Sequence, residues 1–593
     1  MRRAALLFSI ACLAGPALAA DDQPQPPEEA TRGGLEEVVV TATRREERLQ
    51  DVPVAVTAVT SRALAVADLA TTRNLTQIVP GFFGARNMGA YQPVIRGVGS
   101  AGVGVGDESN VATYIDGVYY PESGANWVEL VEVERVEVLR GPQGTIFGRN
   151  ATGGLVNIIT PDPSFTPRGH ISARFGRMRN DANEYEVRGY LTTAITDKVA
   201  WDFAGLGRKT EGYIDDLVRG GGLGDQRVVH LRSKLLFEPS DRSRIVLTGE
   251  FFDQASQSNA PQPFHGNTAG RRYPGVIIPT KPWQTALDIV PILDIQRYNF
   301  ALRTRFEFEA FNLETTTGYQ YWDSLKQNTD ADASNIFLGS LPALYNSESI
   351  SQEVRLLSAK SGPLQWLVGG YFFDLNGTID LSLVSGAPDR PTTTIALFPE
   401  TWTRSYAGFA EGTYEFTDSW FLTLGGRYTW EKRKFSQKVG GRDLFGIVDK
   451  SFDKFDWRAV LRYNFAADAN VYASYGTAFK SGVFNAAGTS PTPVNPEEIK
   501  AAEFGIKADP VDWLRTNFAG YYYTYDNLQV VAKAATGPGF ILQNAGSAEI
   551  YGAELEVNAS VNQDLNLRGT VAWNHANYDK FPAAQSFLPR PDG

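Results

Sequence analysis

Side chains able to catalyse reactions or bind metals are scattered along this sequence. The four histidines, His170, His230, His265 and His575, lie far apart, and none has the spacing of a zinc site. No serine, histidine and carboxylate come together in a recognisable set, so we expect no enzyme and no resident metal or cofactor. Gly97 to Gly102 has G-x-G-x-x-G spacing, but Asp107 and Glu108 follow in place of a helix. A flexible loop is the better interpretation.

The N-terminus predicts export from the cytoplasm. Arg2 and Arg3 precede an apolar stretch and the small-residue signal Ala17-Leu18-Ala19, the layout of a signal peptide over residues 1–19. Cys12, the only cysteine, lies inside it, so the predicted mature chain forms no disulfide. No later stretch offers about 20 uninterrupted apolar residues, which excludes a helical membrane span and leaves a secreted protein or a β-barrel. The net charge of −11 argues against nucleic-acid binding.

Three regions follow the signal. The composition of residues 20–50 predicts a flexible tether. This tether carries a short strand-forming segment, which consists of Glu36, Glu37, Val38, Val39, Val40, Thr41 and Ala42. Such a segment suits addition to the sheet edge of another protein, and the alternative is an ordinary first strand of the next domain. Residues 51–165 predict a mixed domain with strands at Val52–Val59, Val111–Ile115, Val131–Leu139 and Leu155–Thr160, and helices at Ser61–Leu69 and Asn74–Ile78.

From residue 166 to 593 the pattern is period-two alternation. Hairpins are predicted across the turns at 196–198, 239–241 and 417–418, and long loops at Asp253–Asp294 and Asp374–Thr401. Weak alternation, aromatic residues near strand ends and turns that are short on one side and long on the other are typical of a transmembrane β-barrel. A rough count gives 17 strands, whereas bacterial barrels have an even number.

Three blocks together resemble the TonB-dependent outer-membrane receptors. The first is Glu36–Ala42 with Thr43-Arg44-Arg45, similar to a TonB box. The second, similar to the family's plug signature, runs from Ile95-Arg96-Gly97 to Ile158 and contains Arg140, Gly141, Pro142, Gly144, Gly148, Arg149, Asn150, Gly153 and Gly154. The third is in the barrel, with Ser351–Leu356, Gly425–Thr429, Phe479–Gly482 and Gly552–Glu556.

The resemblance implies an all-β, 22-stranded transmembrane barrel with a mixed α+β plug in its lumen, in the outer membrane of a Gram-negative bacterium. It implies uptake driven by TonB with ExbB and ExbD, and insertion into outer-membrane lipid by the barrel-assembly machinery. Members usually continue for several more strands, so about five strands are expected to be missing. The plug glycines suit close chain crossings, and Glu137, Arg140 and Arg149 are expected to pair with one another or with barrel-wall carboxylates.

Cargo is the least determined feature. A ferric siderophore is the commonest cargo in the family, and the alternatives are a carbohydrate, cobalamin or an aromatic nutrient. Apical plug loops should meet the ligand, because arginine suits anions and aromatic rings suit flat groups. The candidate contacts are Arg86, Asn87, Tyr91, Gln92, Tyr119 and Trp127. The alternative is that these loops pack on the barrel wall. A passive porin is rejected because of the plug, and a signalling receptor because residues 21–35 are too few for a signalling domain.

Overall fold

The fold was analysed in a computed structural model. It describes residues 35, 37–87, 90–100, 102, 104–122, 128–257, 260–263, 268–359, 362–533, 540–562 and 565–581. The predicted signal peptide, the first part of the predicted tether, Glu36 and Trp127 lie outside the described residues.

The N-terminal region opens with a small hairpin, β1 (Val39–Val40) and β2 (Glu47–Arg48), that pairs Val39 with Arg48. This hairpin differs from the flexible tether expected here. Its apolar residues Val40 and Ala42 pack into the core of the plug, at 0% and 1% exposure, so the segment has burial to stabilise it.

A five-stranded mixed sheet forms the centre of the plug. In chain order the elements up to it are β3 (Val56–Thr60), α1 (Ser61–Val66), a 3-10 helix (Thr72–Gln77), β4 (Phe82–Asn87), β5 (Ala90–Ile95), β6 (Val98–Gly99), β7 (Val111–Ile115), β8 (Val118–Tyr120), β9 (Arg135–Arg140) and β10 (Gly154–Ile159). The sheet order is β3-β9-β10-β7-β8, and β4, β5 and β6 form a separate small sheet. The predicted mixed α+β plug is confirmed. Of its predicted strands, only Val111–Ile115 has the observed bounds.

The rest of the chain forms one antiparallel sheet of 18 strands. Within the described part of the chain, its first and last strands do not pair with each other. The strands are β11 (Arg168–Arg177), β12 (Asn183–Ala194), β13 (Val199–Thr210), β16 (Gln226–Ser240), β17 (Ser243–Ser256), β19 (Ile292–Glu307), β20 (Phe311–Asn328), β21 (Gly339–Ser340), β22 (Ala343–Ser358), β23 (Leu364–Ala387), β24 (Arg390–Thr417), β25 (Trp420–Val439), β26 (Arg442–Ala466), β27 (Ala469–Lys480), β28 (Glu497–Val511), β29 (Leu514–Asp526), β32 (Ser547–Ser560) and β33 (Asn566–Lys580).

Shorter elements lie in the connections between these strands. They are a 3-10 helix (Arg179–Asp181), β14 (Ile214–Asp216), β15 (Gly222–Leu223), a 3-10 helix (Ala269–Arg272), β18 (Gln284–Thr285), β30 (Gln529–Lys533) and β31 (Phe540–Asn544). Among the described residues, no helix combines the length and the apolar character needed to cross a membrane.

The alternation predicted for a membrane barrel is visible in the burial pattern of barrel strands such as β16 and β17. On β16, Leu231 and Leu235 are exposed on the outer surface, whereas Arg232 and Lys234 are buried inside. The outer face therefore meets lipid with apolar side chains, and polar side chains face the plug. The barrel-and-plug fold is confirmed.

One predicted loop is wrong. Residues Asp374–Thr401 continue β23 and β24 as a long hairpin that turns at residues 388 and 389. Leu375 and Ile379 point inward and are buried, while Asn376 and Asp380 point outward and are exposed. Apolar and polar residues therefore alternate here with the opposite phase to that of a membrane strand, whose apolar face points outward.

Candidate functional site

The segment predicted as the TonB box is docked against the plug sheet. The N–H of Thr41 donates to Oε1 of Glu137 at 2.9 Å, and the Thr41 hydroxyl lies 3.1 Å from both carboxylate oxygens. Glu37 and Arg48 form an ion pair across the hairpin at 2.9 Å. The edge of β1 is therefore held by its own chain, and a partner strand must displace these contacts in order to pair with it.

Glu137 is the centre of this docking site. Its side chain is fully buried on β9 and also accepts from Arg135 Nε at 2.9 Å and Asn157 Nδ2 at 3.1 Å. The sequence had suggested Arg140 or Arg149 as its partner. That expectation is wrong. Successive residues of a strand point to opposite faces, and Arg140 lies three residues after Glu137 on β9, so the two side chains point to opposite sides of the sheet.

Arg44 and Arg45 attach the hairpin to the barrel wall. The Arg44 guanidinium lies 4.2 Å from the ring centre of Phe147 and 3.5 Å from the Glu353 carboxylate. Arg45 donates to the Ser358 hydroxyl at 3.1 Å, and also to the Trp366 carbonyl. The hairpin therefore bridges the plug and strands β22 and β23.

The backbone carbonyls of the residues that follow the hairpin accept hydrogen bonds from barrel side chains. Lys507 Nζ donates to the carbonyl oxygens of Leu49 and Val52 at 2.9 and 2.6 Å. Asn470 Nδ2 donates to the Gln50 carbonyl at 2.7 Å, and Arg462 donates to that of Asp51. The carbonyls of four successive residues, 49–52, are thus fixed by side chains of β26, β27 and β28.

The predicted pairing of plug arginines with barrel carboxylates is present. Arg140 lies 2.8 Å from Glu554 and also contacts Glu556, both on β32. Arg96, which is fully buried, pairs with the same Glu554 at 2.8 Å and with Glu503 on β28 at 2.6 Å. Breaking a buried pair by removing one partner costs several kcal/mol, so these contacts fix the orientation of the plug.

Arg149 belongs to a second network near the middle of the plug. It pairs with Glu108 of the plug at 2.5 Å and with Glu431 on β25 at 3.0 Å. Glu108 also accepts from Arg433 at 3.1 Å and from the Tyr119 hydroxyl at 2.8 Å. A loop carboxylate thus links two arginines, one from the plug and one from the barrel.

Glycines of the plug signature lie where the backbone of the plug comes close to another segment of backbone. A Cβ at Gly144 would come within 2.8 Å of Ala478 Cα on β27, so only glycine allows this approach. Gly141, Gly148 and Gly154 have positive φ, as has Asn150. The remaining signature residues Pro142 and Gly153 lie in the same stretch between β9 and β10.

The predicted ligand contacts are only partly described. Tyr91 and Gln92 are nearly fully buried, and Gln92 donates to the Gly102 carbonyl at 2.6 Å. Tyr119 is also buried beneath Phe373 and bonded to Glu108. The side chains of Arg86 and Asn87 lie outside the described residues. Ligand contact by these six residues stays a prediction.

A carboxylate cluster lies in the connections that precede β19 and follow β20. Asp288, Asp330 and Asp332 bring carboxylate oxygens within 4.8 Å of one another. Burial, and then the hydrogen bond to Asp288, raises the pKa of Asp330 to about 7. Within the described residues nothing independent points to an ion there, and the expected lack of a metal site stays a prediction.

Several residues of this site were missed from the sequence. Glu108 and Arg96 had been seen only as parts of a loop and a motif, and Lys507, Arg462 and Asn470 had no role assigned. The only available signal was the alternation of polar and apolar residues in β26 to β28. It assigns these polar residues to the strand positions whose side chains point into the lumen.

A barrel whose lumen is filled by an N-terminal plug, with a short strand-forming segment at one end, defines a class of gated outer-membrane receptor. The chain matches two family profiles: TonB dependent receptor-like, beta-barrel, over residues 148–591, and TonB-dependent Receptor Plug Domain, over residues 48–155. The protein belongs to the TonB-dependent receptors, a family of outer-membrane receptors that work with TonB. It is located in the outer membrane of a Gram-negative bacterium.

Known relatives cover different shares of the chain. The pesticin receptor of Yersinia pestis is 33% identical over 164 residues, 27% of this chain and 24% of that receptor. The ferrioxamine receptor of Yersinia enterocolitica is 21% identical over 98% of this chain and 82% of its own length. The crystal structure of the ferric yersiniabactin uptake receptor from Yersinia pestis has a TM-score of 0.75 at 20% identity, and the match covers 89% of this chain and 80% of that one. This structural likeness shows the fold.

Proposed function

We propose that this receptor takes up a ferric siderophore across the outer membrane, driven by TonB with ExbB and ExbD. The observation that carries the proposal is the docked segment Val39–Arg48, which is joined through Thr41 to Glu137 in the plug and through Arg44 to Glu353 in the barrel. A pull on this segment reaches the contacts between plug and barrel directly.

The filled lumen supports active rather than passive transport. Arg96, Arg140 and Arg149 each form ion pairs with barrel carboxylates, so the plug is fixed in place. A ligand cannot pass unless some of these contacts break, and an outer membrane has no nucleotide to drive that step. Energy must therefore come through a partner such as TonB. Insertion of the barrel itself is assigned to the barrel-assembly machinery.

The ferric cargo is supported by the relatives, which are receptors named for ferrioxamine and for ferric yersiniabactin. The experiment is deletion of residues 36–42, followed by binding and uptake of radiolabelled ferric siderophores in iron-starved cells. Binding retained with uptake lost is the expected result. Unchanged uptake contradicts TonB coupling, and lack of binding to any ferric complex contradicts the cargo but not the fold.

A further inference from the structure

The outer, lipid-facing side of the barrel carries a groove that crosses strands β22 to β25. It has a volume of about 490 Å³. Its floor contains Gly370 on β23 and Gly408 on β24, which are paired with each other across the two strands. Both glycines are exposed, and a Cβ added at Gly408 would meet no atom of the described residues within 4 Å. The groove is therefore open to whatever surrounds the barrel.

Larger side chains stand on both sides of this glycine floor. Val354 on β22 is paired with Gly370, and Tyr428 on β25 is paired with Gly408, so the four residues form one row across the strands. Neighbouring strands are about 4.8 Å apart, so the two glycines leave a gap of about 14 Å between Val354 and Tyr428. A gap of this size between two large side chains makes a recess in the barrel wall.

A row of aromatic rings borders the groove on its extracellular side. The three rings are those of Phe372, Tyr406 and Trp430. The ring centres of Phe372 and Tyr406 are 5.2 Å apart, and those of Tyr406 and Trp430 are 5.9 Å apart. The rings therefore form a continuous ridge along one edge of the groove.

The aromatic ridge marks the outer edge of the membrane. Phe416, at the other end of β24, is exposed beside the short turn to β25, and short turns lie on the periplasmic side. The ten residues from Tyr406 to Phe416 span about 34 Å along the strand, which a tilt of about 40° converts to about 25 Å of height, the apolar band of such barrels. Gly408 lies two residues inside Tyr406, so the groove is in the hydrocarbon of the outer leaflet.

Elsewhere the barrel fills such a gap with its own side chain. Gly189 on β12 and Gly205 on β13 form another pair of neighbouring glycines on the outer face. The ring of Phe203 lies over Gly205, and a Cβ added there would come within 3.2 Å of that ring. No described side chain takes this place at Gly408. The groove is therefore left for an occupant from the membrane.

The shape of the groove favours a fatty acyl chain over a second barrel. Tyr406 and Tyr428 protrude at its rim, with 47% and 51% of their surface exposed, and they hold the convex wall of another barrel away from the glycine floor. An acyl chain is narrow and flexible, so it enters the recess and gains contacts with the floor and the sides that a void would forfeit. The outer leaflet of a Gram-negative outer membrane consists of lipopolysaccharide, whose lipid A part supplies the acyl chains.

We propose that the groove over Gly370 and Gly408 is a binding site for one acyl chain of lipid A. Arg404 and Lys432 lie one row further out, but each is already paired with an aspartate, so the chain rather than a headgroup phosphate carries the binding. A chain enclosed by the floor and the sides exchanges with the bulk lipid more slowly than chains that only border the barrel. This lipid therefore accompanies the receptor when the membrane is dissolved.

The occupant is identified by photo-cross-linking in intact outer membranes. The photoreactive amino acid p-benzoylphenylalanine replaces Tyr428 at the rim of the groove, and in a control receptor it replaces Tyr185, which is similarly exposed on β12. After irradiation, the mass of each adduct is measured. A lipid A adduct at position 428 that exceeds the one at position 185 is the expected result. A receptor dimer, a phospholipid adduct or equal amounts of lipid A at the two positions overturns the proposal.

Retention of the lipid is tested by filling the groove. Gly370→Leu combined with Gly408→Leu should abolish the lipid A that stays with the purified, detergent-washed receptor, as measured by native mass spectrometry. Gly207→Leu is the matched control, since a Cβ at this exposed glycine of β13 also meets no described atom within 4 Å, and valines flank it on both neighbouring strands. Protection of the barrel amides from hydrogen exchange verifies that each variant is folded. Equal retention in the filled and control receptors, or none in the wild type, overturns the site.

Discussion

The backbone N–H and the hydroxyl of Thr41 both donate to the buried carboxylate of Glu137, at 2.9 and 3.1 Å. The two residues are 96 positions apart in the chain. Because Thr41 lies in the segment proposed to bind TonB, we expect Glu137 to influence how readily that segment leaves the plug.

Glu137→Gln should loosen the hairpin. The charge-assisted hydrogen bonds become neutral ones, which costs about 1–3 kcal/mol of docking free energy. Trypsin cleavage after Arg44 or Arg45 in the folded receptor should therefore be about five- to 150-fold faster. Glu134→Gln is the matched control, since this half-exposed carboxylate pairs with the same Arg135. Equal cleavage rates in the two variants would remove Glu137 from this role.

Lys507→Met should free the backbone that follows the hairpin. The carbonyls of Leu49 and Val52 lose their buried amino-group donor, at a cost of about 1–3 kcal/mol. Hydrogen exchange of the amides near residues 49–55 should accelerate while barrel amides stay protected. Lys500→Met, on the outer face of the same strand, serves as control. Unchanged exchange in the Lys507 variant would show that Asn470 and Arg462 suffice.

Gly144→Ala should disturb the seating of the plug. The added methyl group meets the backbone of Ala478 at 2.8 Å, and a barrel strand held in a hydrogen-bonded sheet yields little. Overpacking of this kind costs about 1–3 kcal/mol. Exchange of the amides of 141–150 should rise, whereas Gly408→Ala, whose added Cβ has open space around it, should have no effect. A fully protected plug in Gly144→Ala would contradict the observed contact.

The carboxylate cluster should make its connections less stable as pH rises. The pKa of Asp330 is raised to about 7 in the fold, above its ordinary value, so its stabilising contribution is full below the ordinary value and is lost as pH rises through about 7. Local opening of residues 329–339, measured by pulsed labelling of a cysteine introduced in this segment, should increase up to about tenfold per pH unit between pH 5 and 7. Asp330→Asn should flatten this dependence. A wild-type profile without slope contradicts the raised pKa.

Much of the fold could be predicted because it depends on periodicity. A strand buried on one face must alternate, so the turns predicted at 196–198, 239–241 and 417–418 lie at or next to the observed ends of paired strands. The hairpin over Asp374–Thr401 was missed because its outer face is polar. The segment alternates with polar residues outward, which is the opposite phase to that of a membrane strand.

The functional site was less predictable. The sequence predicted that Arg140 and Arg149 pair with lumen carboxylates, but not which ones, because Glu554 and Glu431 are hundreds of residues away. Glu137 was assigned the wrong partner. One of its observed partners, Thr41, lies in a segment whose composition predicted a free tether. The burial of Val40 and Ala42 against the plug shows that this segment is docked.

The sequence by itself determined the class of protein, through the plug signature, the segment Glu36–Ala42 and the barrel alternation, since each depends on residues that are close along the chain. Only the tertiary structure decided how the segment is held and which carboxylates fix the plug. Those features depend on contacts between residues far apart in sequence, and such contacts exist only once the barrel wall encloses the plug.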